Sequence, residues 1–194
     1  LSLSVPSDKP EGSVALTNAR IITMNADRDT IDNGMVIVEG NRIAFVGIHD
    51  ETKIPAAAKR IDLEGKTLLP GYIDAHAHGP YGRDYIIPQN NWSLLAHLAL
   101  GVTTVHNPSS RAAQAFAAAE YQRAGKTLGP RIFSTGEIIY GAKSTGFDPI
   151  ESLDDAKAVV DRLKAQGAIS VKNYNQPRRA QRQMVIEAAR DASM

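Results

Sequence analysis

The sequence has no cysteine among its 194 residues. This absence excludes a disulfide framework and a thiolate ligand, so any metal ion must be held by histidine, carboxylate or lysine side chains. Net charge is also nearly absent, because 22 Lys and Arg residues face 21 Asp and Glu residues. No basic block is present, and we therefore expect neither nucleic acid nor an anionic membrane surface as a partner.

Long apolar runs are missing as well. No stretch approaches the roughly 18 to 20 residues of a membrane span, and the first 12 residues lack the basic region and apolar core of a signal peptide. We expect a soluble, cytoplasmic protein, and a periplasmic or secreted location stays open if a leader precedes Leu1. With 43% hydrophobic residues, the chain is long enough for one ordinary core, or for a small domain plus part of a larger one.

The pattern of strands and turns divides the chain into three parts. Residues 1–12 are rich in Ser, Pro, Asp and Lys and are interpreted as a linker or tail. Residues 13–67 contain short β-type runs separated by turn residues and predict a small β-sandwich module. Its clearest element is a hairpin in "GMVIVEGNRIAFVG", where Gly40 and Asn41 are expected at turn positions with positive φ.

Strand and helix patterns alternate over residues 68–194. Four strands are predicted, each followed by a helix: "GYIDAHAH", "VTTVHNP", "PRIFSTGEII" and "AISVKNY". Four βα units in series imply parallel strands with right-handed crossovers. A doubly wound sheet begins in the same way, but no Gly-x-Gly-x-x-Gly follows the first strand. We therefore predict an α/β fold with the first four units of a (β/α)8 TIM-type barrel.

Two histidines stand at the end of the first predicted strand, in "LLPGYIDAHAHGPYG". Side chains at positions i and i+2 of a strand point the same way, so His76 and His78 could reach one ion. Imidazole suits Zn, Fe and Ni, and barrel enzymes place their sites at the carboxyl ends of strands. The alternative interpretation is two solvated loop histidines. Asp74 shares their parity and could orient a liganding imidazole or pair elsewhere.

The same segment, preceded by "GMVIVEGNRIAFVG" and "RIDLEGKTLLPG", resembles the amidohydrolase superfamily, in its branch related to imidazolonepropionase and prolidase-type hydrolases. The similarity covers about residues 14–190. The resemblance implies that His76 and His78 bind one or two divalent ions, with Zn as the expected metal. It also implies that Lys172, in "SVKNYNQPRR", can carry a carbamate derived from CO2 that bridges two ions. A single ion beside an unmodified Lys172 is the competing arrangement.

The resemblance further implies a histidine at the end of the fifth strand, another at the end of the sixth, and a general-base Asp at the end of the eighth. The sequence ends at Met194 after the fourth predicted helix, so these residues are expected beyond it. The implied reaction is hydrolysis of a C–N bond in a small-molecule amide, namely a cyclic amide, an imidazolone-like ring or a peptide-type amide, through metal-activated water. This chain alone is expected to be inactive.

The alternative is a non-catalytic half-barrel subunit or a truncated product. A half barrel leaves a strand edge and an apolar inner face uncovered, so such a chain is expected to form a homo-oligomer or to bind a complementing carboxy-terminal half.

Four further residues are candidates for lining the substrate pocket. His106, in "TTVHNP", could contact substrate or hold the following loop, and the loop role is favoured. Tyr140 and Lys143 lie in "GEIIYGAKSTGFDP", a long segment after the third strand that suits a lid. Tyr174 follows Lys172 by two residues and could line the same pocket.

Overall fold

Residues 9–82, 86–141 and 145–194 are described by the computed structural model. The chain divides between Gly71 and Tyr72 into two units. Both contain sheets, and the α-helices of the described residues lie in the second, so the fold is mixed α/β with several sheets. No helix in the described ranges is both long enough and apolar enough to cross a membrane.

The first unit contains one five-stranded sheet. Its elements are β1 (Ser13–Ile22), β2 (Thr30–Glu39), β3 (Arg42–Ile48), a 3-10 helix (Glu51–Lys53), β4 (Lys59–Asp62) and β5 (Thr67–Leu68). The strand order is β3-β2-β1-β4, and β5 also pairs with β1. The β1–β2 and β2–β3 pairs are antiparallel, whereas β4 and β5 run parallel to β1.

The predicted hairpin is present as the β2–β3 pair. Glu39 pairs with Arg42 across a two-residue turn, in which Gly40 has a φ of 56°. Glycine suits this position because it lacks the Cβ that makes left-handed backbone costly. The expectation of a positive φ at Asn41 is wrong, since Gly40 alone supplies the left-handed step between the strands.

Apolar side chains lie on both faces of this sheet, because neighbouring residues of a strand point in opposite directions. Met35 and Ile37 of β2 are buried with Ile54 on one face. Val36 lies between them in sequence and is buried with Ile21 on the other. That second face carries an apolar groove, whose lining includes Leu16, Ile31, Val38, Ile43, Val46 and Leu68.

The second unit alternates strands and helices. Its strands are β6 (Tyr72–Asp74), β7 (Val102–Asn107), β8 (Arg131–Ser134), β9 (Ile139–Tyr140) and β10 (Asn173–Tyr174). Its helices are α1 (Trp92–Ala99), α2 (Ala112–Arg123), α3 (Leu153–Ala165) and α4 (Arg179–Asp191). Strands β6, β7 and β8 form a parallel sheet in chain order, and β9 pairs in parallel with β10. The connections β6–α1–β7 and β7–α2–β8 are the βαβ units expected from the sequence.

Helix α3 shows how local sequence sets an element. Ser152 accepts a hydrogen bond from the Asp155 N–H at 3.1 Å, and the Asp155 carboxylate accepts one from the Ser152 N–H at 2.8 Å. Gly167, with a φ of 107°, follows the end of the helix. Ser152 is therefore the N-cap of α3. One face of α3 is buried in the largest apolar cluster of the second unit, through Ala156, Val159, Val160 and Leu163.

Three predicted strands are shorter than the sequence pattern indicated. The first ends at Asp74, because the Asp74 carboxylate accepts a hydrogen bond from the His76 N–H at 2.9 Å and the chain turns there. The third is interrupted between β8 and β9, where Gly136 has a φ of 67° that extended backbone does not allow. The fourth is limited to β10, two residues that pair with the two residues of β9.

Candidate metal centre

His76 and His78 lie directly after β6, in a turn and the loop that follows it. Their ring centroids are 5.1 Å apart and the ring planes meet at 74°. Both side chains are exposed, whereas Ala77 between them is buried. The expectation that strand geometry places both rings is wrong, since the strand has ended. The two imidazoles are nevertheless adjacent and open to solvent.

Three hydrogen bonds hold this His-Ala-His segment. Asp74 accepts from the His76 N–H at 2.9 Å, so its carboxylate fixes the backbone. The Ala77 N–H donates to the carbonyl of His106 at 3.0 Å, and the Tyr81 hydroxyl donates to the Ala77 carbonyl at 3.2 Å. Burial, together with the negative charge of Asp74, raises the pKa of Tyr81 to about 12. Tyr81 is therefore a neutral hydrogen-bond donor at neutral pH.

Lys172 belongs to a second grouping, next to the β9–β10 pair. Its carbonyl accepts from the Ile139 N–H at 2.9 Å, and its Nζ lies 5.0 Å from the ring centroid of Tyr174. That distance is within the range of a cation–π contact. Tyr174 is in register with Tyr140, and the two rings stack with centroids 5.8 Å apart. The candidates Lys172, Tyr140 and Tyr174 therefore form one cluster, which Phe147 extends through a ring contact with Tyr140 at 5.4 Å.

His106 adopts an arrangement that neither sequence interpretation described. Its Nε2 lies 2.9 Å from the Oγ of Ser170, 64 residues further along the chain. The loop after β7 is held instead by Asn107, whose side-chain oxygen accepts from the Ser109 N–H at 3.0 Å. Sequence reasoning missed Ser170, because the hydrogen bond joins residues far apart in the chain and no local pattern indicates it. The remaining candidate, Lys143, lies outside the described residues.

The donors present fit part of a metal site. Two imidazole nitrogens are suitable ligands for zinc and similar ions, which take three or four protein ligands. Within the described ranges, no group of three or more His, Asp or Glu side chains could hold an ion. The pair alone therefore supplies two of the three or four protein ligands that a zinc site takes.

Curated proteins match part of the chain by sequence, and solved structures match most of it by fold. No protein-family model matches the chain. The chain is 36% identical to an imidazolonepropionase of Arthrobacter sp. strain FB24 over 67 residues, which are 34% of this chain and 16% of the relative. It is 32% identical to a 5-methylthioadenosine/S-adenosylhomocysteine deaminase of Symbiobacterium thermophilum over 65 residues, 34% of this chain and 15% of the relative.

The likeness to solved structures covers almost the whole chain. A Bifidobacterium longum protein described provisionally as a prolidase superimposes with a TM-score of 0.73 at 21% identity, over 96% of this chain and 49% of that one. The chain thus spans about half of this structure and a much smaller share of the curated relatives. The resemblance to the amino-terminal part of the amidohydrolase superfamily is confirmed. The likeness to the curated relatives covers 34% of this chain, and the likeness to the solved structure covers 96% of it.

Proposed function

We propose that the whole protein containing this chain is a metal-dependent amidohydrolase. Its substrate is a small molecule with a cyclic amide, an imidazolone-like ring or a peptide-type amide, and the enzyme hydrolyses the amide C–N bond. The observation that carries the proposal is the pair of exposed imidazoles 5.1 Å apart, just after the first parallel strand of the second unit. The names of the relatives, an imidazolonepropionase and a provisional prolidase, support the same class of bond.

The proposal includes a particular fold. We assign β6, β7 and β8 as the first three strands of a (β/α)8 barrel, and the segment ending in β10 as the fourth. The first unit is one part of a β-sandwich module, and its second apolar face is covered by a further layer. In such a barrel the carboxyl ends of several strands build one site. The remaining ligands, two histidines and a general-base Asp, are supplied by residues outside this chain.

In this proposal each candidate residue has a defined task. His76 and His78 would hold the ion through imidazole nitrogens, and Lys172, as a carbamate, would supply oxygen ligands for a second ion. When bound, the ion supplies Lewis-acid chemistry, which polarises the amide carbonyl and lowers the pKa of water. Asp74 and Tyr81 keep the His-Ala-His backbone in place through the hydrogen bonds described above. Tyr140 and Tyr174 line the substrate side of Lys172.

Metal retention tests the two histidines. In the full-length protein, dialysed against a weak chelator, we expect His76→Ala and His78→Ala each to lower bound zinc, measured by inductively coupled plasma mass spectrometry. The matched controls are His49→Ala, which removes a partner of Glu51, and His97→Ala, which removes a helix residue bonded to the Ser93 carbonyl. Equal zinc retention in all four variants would show that the pair is not the metal site.

The carbamate on Lys172 has its own test. With carbon-13 bicarbonate, the metal-loaded full-length protein should show a carbamate carbonyl signal by NMR. Lys172→Arg should remove this signal, because a guanidinium forms no such adduct. Lys66→Arg, in a surface pair with Glu64, is the control and should keep it. If Lys172 is unmodified in the metal-loaded protein, the carbamate is excluded and the arrangement with a single ion is favoured.

A second candidate function, a half-barrel subunit that binds a partner or a second copy, is favoured by one observation. Tyr72 and Ile73 on β6 are 60% and 68% exposed. Neighbouring strand residues point to opposite faces, so a partner packing on either face of β6 would cover one of these side chains. Light scattering after size-exclusion chromatography of the 194-residue chain should then show an oligomer, or a complex with an added carboxy-terminal half. A stable monodisperse monomer would exclude this candidate.

A further inference from the structure

One residue of the second unit makes hydrogen bonds toward both halves of the proposed metal site. The backbone carbonyl of His106 accepts from the N–H of Ala77, which lies between His76 and His78. The imidazole of the same residue lies 2.9 Å from the Oγ of Ser170, two residues before Lys172. We propose that His106 is a positioning residue, which fixes the spacing between the His-Ala-His segment and the Lys172 segment. This inference rests on the proposed function.

The strand that carries His106 explains why it can reach both segments. On β7, Val105 packs into an apolar cluster with alanines of α2, so its neighbours Thr104 and His106 face the other way. On that face Thr104 accepts hydrogen bonds from the guanidinium of Arg131 on β8. The imidazole of His106 contacts Ser170, in the segment assigned as the fourth strand. Alternate strands of a (β/α)8 barrel contribute side chains to one interior layer, and a contact between the second and fourth fits that rule.

The hydrogen bond between His106 and Ser170 is suited to fixing the distance between the His-Ala-His segment and the Lys172 segment. The His106 side chain is half-buried, so water competes less for its hydrogen bond than at a fully exposed site. Ser170 is joined to Lys172 by two peptide links, and the carbonyl of Lys172 is in turn bonded to the Ile139 N–H. Loss of the Ser170 hydroxyl therefore frees one side of the Lys172 segment. Groups that orient metal ligands typically alter metal affinity by about 10- to 100-fold when removed.

Ser170→Ala in the full-length protein tests the inference with a minimal change. It removes one hydroxyl and leaves the bond between the His106 carbonyl and the Ala77 N–H in place. Zinc affinity, measured by competition with a chromophoric chelator, should weaken at least about tenfold. Ser170→Thr retains a hydroxyl and should restore most of the affinity.

Thr104→Val is the matched control. It removes a hydroxyl from the same face of β7, and it deprives Arg131 of its acceptor rather than His106 of its partner. We expect it to lower the melting temperature without weakening zinc affinity.

The outcomes separate this inference from the function on which it rests. A wild-type protein that binds no zinc overturns both. A wild-type protein that binds zinc, with unchanged affinity in Ser170→Ala, overturns only the positioning role of His106. An equal loss of affinity in Thr104→Val and Ser170→Ala also overturns it, because general loosening of the sheet would then explain the effect. Loss in Ser170→Ala alone, with recovery in Ser170→Thr, supports it.

Discussion

Gly136, between β8 and β9, is a position where a single methyl group should be costly. Its φ of 67° is left-handed, and an added Cβ would lie 3.2 Å from Leu163 Cδ2 and 3.3 Å from Ala112 Cβ. Leu163 of α3 and Ala112 of α2 are both buried, so we expect little free space into which they could shift. The segment also leads into β9, whose Ile139 N–H is bonded to the carbonyl of Lys172.

Two effects of Gly136→Ala should each lower the free energy of unfolding. A left-handed residue with a Cβ costs about 1 to 2 kcal/mol, and overpacking of a filled core costs about 1 to 3 kcal/mol. The free energy of unfolding should therefore fall by about 2 to 5 kcal/mol. Urea unfolding of the full-length protein, followed by circular dichroism, measures it as a lower midpoint.

Gly146→Ala separates the two contributions. Gly146 also has a positive φ, of 90°, but no atom in the described part of the chain lies within 4 Å of an added Cβ. The free energy of unfolding of Gly146→Ala should fall only by the backbone contribution, about 1 to 2 kcal/mol. If Gly136→Ala is no more destabilising than Gly146→Ala, then Leu163 and Ala112 do not confine this position and the reasoning is refuted.

Three further predictions concern individual hydrogen bonds. Ser152→Ala should cost about 1 kcal/mol through loss of the α3 N-cap, seen in thermal melts, whereas Ser152→Asp should retain most of the stability. Hydrogen bonds from Ser152 and from the Glu151 N–H lower the pKa of Asp155 below 3.8, so NMR titration should give a midpoint below that value. The stabilising effect of the ionised Asp155 side chain is present above the pKa that this group has in the unfolded chain. It is lost as the pH falls through the lower pKa of the folded protein. Tyr81, whose pKa is raised from 10 to about 12, should ionise in ultraviolet titration near pH 12, a step absent in Tyr81→Phe. Its neutral form stabilises the fold below pH 10, and this effect is lost as the pH rises through 12.

The helices of the second unit could be predicted because their signals are local. The N-cap at Ser152 and the glycine at 167 lie within a few residues of the helix ends they define. Asn91 likewise caps α1 by accepting from the N–H groups of Ser93 and Leu94. Capping depends on neighbours in sequence, and sequence patterns contain those neighbours.

The strands were predicted less well because pairing with distant residues decides where they end. Gly136 interrupts the third predicted strand, and the sequence shows the glycine but not its φ. The contact between His106 and Ser170 joins residues 64 positions apart, so no local pattern indicates it. The spacing of His76 and His78 makes them candidate metal ligands, and an Asp74-bonded turn rather than a strand places their rings side by side.

The proposed metal centre requires that the imidazoles of His76 and His78 bind the same ion. A crystal structure of the full-length protein grown with zinc, with anomalous data collected at the zinc edge, tests this directly. The account predicts an anomalous peak at about 2.0 to 2.1 Å from one nitrogen of His76 and one of His78. A fully loaded crystal whose zinc peaks lie away from both histidines would contradict it.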